Sequence, residues 1–259
     1  MTSLRILTLS AIAAIVAASA GAASAGLPWK GYLGAGGPDT VAMLPPAPPP
    51  GSPEAETDRA IFRATRTLKG GPRWDLAVTD LSQTHIVSDL SCAVGVDLRT
   101  GKLPALRRLL LTMAPDVSRA VSKPKALYGR PRPYLVDPGP ICADRTVALA
   151  RSPDYPSGHA TWGWSVGLVM AELAPDRASA ILARSKAFGE SRMVCGVHNA
   201  SSVAAGRTNA EVLVAALHGS PAFRADLQAA RSELADAIRT GRPAAGCEAE
   251  AAAMATPLP

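Results

Sequence analysis

Aromatic residues are scarce, only 4% of the 259 positions, and no basic stripe with interleaved aromatics runs along the chain. Base-stacking platforms need both, so nucleic acid is not an expected partner. Long apolar runs are missing as well. Beyond Ile6 to Ala18, no stretch reaches the roughly 18 to 20 apolar residues of a spanning helix. There is no Cys-x-x-Cys pair and no Cys/His cluster, so no zinc signature and no metal ligand set is expected. Internal repeats are also absent, and no series of period-two segments suggests a sheet.

What is present begins with an address. Arg5 is a positive n-region, Ile6 to Ala18 an apolar stretch, and Ala23-Ser24-Ala25 a small-residue cleavage site before Gly26. Residues 1–25 therefore read as a cleavable signal peptide, and the mature protein is expected in a bacterial periplasm. The four cysteines, Cys92, Cys142, Cys195 and Cys247, suit an oxidising compartment and allow two disulfides in three pairings. A net charge of +6 favours anionic partners, although a solvated basic surface produces the same excess.

Residues 26–51 form a Gly/Pro-rich arm, with an extended polyproline stretch from Leu44 to Gly51 that lies on the domain, tethers it, or reaches a second subunit. Homo-oligomerisation is left open. A helix is expected to start with Ser52 as cap and Pro53 in the first position. Leu106, Leu109, Leu110 and Met113 mark another helix, with Pro115 expected to kink or restart it. Further helices follow from His159 to about Leu173, then to about Ser191, from Ser201 to His218 and from Pro221 to Ile238. The expected fold is all-α, one helical bundle over residues 52–240, with an Ala-rich tail at 241–259 expected to be disordered.

The chemistry is concentrated at Tyr155-Pro156-Ser157-Gly158-His159, where a proline-rich loop turns into a helix and backbone N–H groups converge on one anion. Two basic segments accompany it, Lys125 to Pro133 and Ser191 to His198. Together the three match, in order, Lys-x6-Arg-Pro, Pro-Ser-Gly-His and Ser-Arg-x5-His. The chain thereby resembles the type 2 phosphatidic acid phosphatase superfamily. With the proline arm, Arg63 to Arg66 and Leu217 to Phe223, it resembles more narrowly the secreted bacterial class A non-specific acid phosphatases. That resemblance implies a metal-independent, cofactor-free helical bundle of the acid phosphatase/vanadium haloperoxidase type, with phosphate monoesters and inorganic phosphate as ligands. A vanadate-dependent haloperoxidase builds a similar pocket, but the wider match points to phosphatases.

Phosphoryl transfer places charge on three equatorial oxygens, and fixed cations and donors stabilise it. Lys125, Arg132 and Arg192 are the expected cations; Ser157 and Gly158 are the expected neutral donors. By resemblance, His198 is the nucleophile that becomes phosphohistidine, and His159 is the acid that protonates the leaving oxygen. The family pattern closes with an aspartate four residues after that nucleophile, and here the position is Ser202. No carboxylate occurs from Ser191 to Ala210, with Glu190 and Glu211 flanking the gap. Ser202 is expected to accept a hydrogen bond from the ring without supporting its charge, so turnover is expected to be weakened. The alternative is a catalytically impaired phosphate-binding protein of the same fold. A bridge from Cys142 to Cys195 would tie the site loop to the Arg192 helix, leaving Cys92 with Cys247.

Overall fold

The computed structural model describes residues 30–99 and 102–259, and the signal peptide expected at 1–25 lies outside them. Among the described residues all regular structure is helical. The arm carries one turn, α1 (Thr40–Met43), and lies against its own domain: the Tyr155 hydroxyl donates to Pro45 O at 2.6 Å, and Thr40 Oγ1 to Ala120 O at 2.8 Å. Helix α2 (Pro53–Thr65) starts as expected, with Ser52 Oγ accepting from Ala55 N and Pro53 at its first position, where its missing N–H costs nothing. Then come α3 (Pro72–Thr79) and two single turns, α4 (Ile86–Asp89) and α5 (Ser91–Val94).

Helix α6 (Pro104–Tyr128) is longer than expected. It runs uninterrupted through Pro115 and Pro124: Leu106, Leu109, Leu110, Met113, Val117 and Val121 keep one face buried across Pro115, and Pro124 is itself buried at the end of that face. Tertiary packing of that face outweighs the lost hydrogen bonds. The loop after it contains two short helices, α7 (Pro133–Val136) and α8 (Val147–Arg151).

The centre of the molecule is α9 (Gly158–Leu173), packed most extensively between α10 (Ala178–Val194) and α11 (Ala200–Leu217), with α12 (Pro221–Thr240) against α6. Val166, Met170, Ile181, Phe188, Leu213 and Phe223 fill the interior among them. The close approach depends on missing side chains. A Cβ at Gly163 would lie 2.4 Å from Phe188 Cδ1, and one at Gly206 would lie 2.7 Å from Ser157 O.

The tail corrects the expectation of disorder. Residues Cys247–Ala255 form α13, held by a disulfide from Cys247 to Cys92 and by an ion pair from Glu250 to Arg184 at 2.8 Å. The second disulfide joins Cys142 to Cys195. These are the pairings that the positions of the cysteines around the motifs suggested.

Candidate active site

Helix α6 ends at Gly129 in a left-handed conformation, φ 53°, which turns the chain sharply after Lys125 and sends Arg130 and Arg132 back across the domain. Arg132 is buried and fully engaged. Its Nε donates to Leu149 O and Ser152 O at 2.9 and 2.8 Å, and its Nη1 donates to Val197 O at 2.7 Å and meets His198 Nε2 at 3.0 Å. Lys125 Nζ donates to the Pro153 carbonyl. The loop before α9 is thus held by the cations of the first motif.

Ser157 caps α9, its Oγ accepting from Ala160 N at 3.2 Å, while its own N–H donates to Ser202 O at 2.9 Å. Gly158 is the first residue of the helix, so its N–H has no carbonyl within α9 to bond. His159 follows. Its ring stacks on Phe188 at 4.4 Å and 11°, and hydrogen-bonds the Asp80 backbone, leaving Nε2 buried with no partner. Asp80 is itself fixed by the Ser191 hydroxyl and the Arg184 guanidinium, both at 2.5 Å.

Arg192 comes from the last turn of α10, and its Nε and Nη1 are buried without a partner. His198 stands in the turn between α10 and α11. With exposures of 5, 5, 7 and 4%, Arg132, His159, Arg192 and His198 make a dry site, where charges act strongly on one another. Burial and the neighbouring Arg132 hold His198 below the ordinary imidazole range, although Asp154 pulls the other way. Burial, then Arg192 and His198, hold His159 well below it. Burial and Arg132 also push Lys125 down to about 7 and Arg192 to about 9. Unpartnered buried donors thus stand among cations depressed by burial, an arrangement that a negative charge would stabilise.

The structure therefore gathers Lys125, Arg132, Ser157, Gly158, His159, Arg192 and His198 from three separate segments. Ser202 is placed differently from expectation. Its hydroxyl does not serve the His198 ring but donates to Asp154 Oδ2 at 2.5 Å. Asp154 faces the ring instead, with Oδ1 2.9 Å from His198 Nδ1. Asn199 supports the same carboxylate through its backbone N at 3.1 Å and Nδ2 at 2.9 Å. Burial alone would raise the Asp154 pKa, but the bonds from His198, Ser202 and Asn199 outweigh it and hold the group down at about 2. Glu190 and Glu211 are engaged elsewhere, with Lys186 and Trp164. Sequence reasoning missed Asp154 because it lies 44 residues before His198 and obeys no local spacing; its only signal was a carboxylate adjoining the Tyr-Pro-Ser-Gly-His corner.

Residues 105–224 match the family model described as the PAP2 superfamily. The chain is 43% identical over 203 residues to an acid phosphatase of Zymomonas mobilis, covering 76% of this chain and 75% of that one. It is 34% identical over 201 residues to a non-specific acid phosphatase of Providencia stuartii, covering 76% and 81%. A non-specific acid phosphatase of Salmonella typhimurium is 34% identical over 199 residues, covering 74% and 79%.

Proposed function

The chain belongs to the PAP2 superfamily and, within it, to the non-specific acid phosphatases, and we propose that it hydrolyses phosphate monoesters through a covalent phosphohistidine on His198. The observation that carries this reading is the ring itself: a buried imidazole with a carboxylate on Nδ1 and guanidinium on the Nε2 side. The carboxylate fixes the proton on Nδ1, so that the lone pair on Nε2 is the one aimed at phosphorus.

An entering phosphoryl group takes the donation that Arg132 Nη1 makes to Nε2. Its oxygens also meet the unpartnered Arg192 donors, the Lys125 ammonium and the first N–H of α9. Nε2 then forms a bond to phosphorus as the ester P–O bond breaks, and His159 Nε2 delivers a proton to the departing oxygen. The positive phosphoimidazole is supported by Asp154. Water, losing a proton to the neutral His159, displaces the ring and frees inorganic phosphate. His159 starts this cycle protonated only once the bound dianion has raised its pKa, which favours mildly acid conditions. The three cations neutralise the equatorial charge, so the reaction is proposed to run without a metal.

Export to the periplasm belongs to the same proposal. It is supported by the leader pattern at 1–25 and by two disulfides, which persist in oxidising compartments. The impaired-binder alternative rested on a missing carboxylate; Asp154 Oδ1, 2.9 Å from His198 Nδ1, favours the active reading over it.

The test is leaving-group dependence in His159→Ala. Loss of the acid should slow an alkyl phosphate by about 10²- to 10⁴-fold but p-nitrophenyl phosphate, whose phenolate departs unaided, far less. Equal slowing of both would remove His159 from the acid role.

A further inference from the structure

The pattern that this chain otherwise follows has aspartate four residues after the histidine, and here that position is Ser202. The serine is not simply a loss. Its Oγ lies 2.5 Å from Asp154 Oδ2 and donates to it. An aspartate at 202 would place its carboxyl carbon near the present Oγ, with oxygens about 1.2 Å beyond, in the space the Asp154 carboxylate now fills. Two carboxylates cannot share that space in ionised form, since like charges so close push one of them to protonate. One carboxylate and one hydroxyl can share it, because the hydroxyl donates where a second carboxylate could only accept.

Resting on the phosphohistidine reading, we infer that Asp154 is the positioning residue for His198 in place of position 202, and that 154 and 202 are exchangeable seats for a single carboxylate. The backbone makes the exchange feasible. Ser157 N donates to Ser202 O at 2.9 Å, which clamps the stretch before α9 against the first turn of α11. Asp154, on a loop instead of a helix, has the extra restraints such a seat requires. Asn199 binds both of its oxygens, and Arg130 Nη1 stands 3.5 Å from Oδ2. Arg130 is in turn fixed by Asp58 at 2.8 Å and by the Ser201 hydroxyl at 2.7 Å. Nothing in this arrangement leaves the ring short of charge support, so turnover is not weakened by Ser202.

The experiment compares the full chain with Asp154→Ser, Ser202→Asp and the double exchange. Readouts are kcat and KM on p-nitrophenyl phosphate, inhibition by inorganic phosphate, and melting temperature. Asp154→Ser should lower kcat by about 10²- to 10⁴-fold, as loss of an orienting aspartate does elsewhere, with phosphate inhibition nearly unchanged. Ser202→Asp alone should also slow the reaction, by crowding two carboxylates. The double exchange should recover to within about tenfold of wild type, on the scale of the same principle. A merely structural role for Asp154 predicts no such rescue. The inference is overturned if Asp154→Ser turns over like wild type, or if the double variant melts normally yet is no faster than Asp154→Ser. Should the double variant be unstable, Asp154→Asn decides, because it keeps the shape: a large loss of kcat with phosphate inhibition intact supports the role, and wild-type turnover overturns it. Wild-type turnover in His198→Ala would instead sink the phosphohistidine reading on which the inference stands.

Discussion

Replacing Lys125 by arginine should move the alkaline limb of the pH profile upward. Burial first, and then the nearby Arg132, push the Lys125 ammonium down to about 7, with Asp154 opposing them. A depressed lysine is charged below its pKa and neutral above it, so the cation is present in mild acid and lost as pH rises through about 7. In kcat/KM, which reports the free enzyme, activity should therefore fall above that point. A charge-assisted bond to a phosphoryl oxygen contributes about 1.5–3 kcal/mol, so its loss corresponds to about a 10- to 150-fold drop before the profile levels off. In kcat, which reports the bound complex, the limb should lie higher, because the dianion favours the charged lysine. Guanidinium starts from a much higher value than ammonium, and even Arg192, depressed to about 9 in the same site, keeps most of its charge through pH 8. Lys125→Arg can lower the plateau, since its fork is wider, but its activity relative to wild type, set to one at pH 5, should rise between pH 6 and 8. Taking the ratio with one substrate cancels the ionisation of the ester itself. A ratio that stays flat would falsify the assignment of this limb to Lys125.

Gly163→Ala should drive a methyl into Phe188 and so displace the ring stacked on His159. A cost of about 1–3 kcal/mol in stability is expected from overpacking, together with a fall in kcat that exceeds any change in phosphate inhibition; a selective effect on phosphate inhibition would contradict this. Asp89 is raised to about 7, by burial first and then by Asp80 and Glu250, and its Oδ2 has no partner. The folded state therefore favours the protonated carboxyl, and that stabilisation is lost as pH rises through about 7. Asp89→Asn should raise the melting temperature more at pH 8 than at pH 5, and an equal change at both would contradict the reasoning.

Local chemistry made much of the molecule legible. Ser52 and Pro53 announced the start of α2, and the residues of the three ordered motifs do come together in the fold. What stayed hidden was decided by contacts distant along the chain. Pro115 looked like a break because its neighbours' burial against α12 and α9 cannot be read from its own surroundings. The Ala-rich tail looked unstructured because the partners that hold α13, Arg184 and Cys92, lie 66 and 155 residues away from Glu250 and Cys247. Asp154 was hidden in the same way. Only the fold brings it to His198, and the substitution at 202 read in isolation as damage, although the same two residues form one donor–acceptor pair.

The central claim is a covalent bond between His198 and phosphorus. Acid lability and alkali stability distinguish a phosphoimidazole from a phosphoester, so the direct measurement is rapid quench of the full chain with radiolabelled substrate into alkali, followed by peptide mapping. Label on the peptide containing His198, formed within the first turnover and absent from His198→Ala, is the predicted result. Steady hydrolysis with no label on that peptide at any quench time would contradict the account.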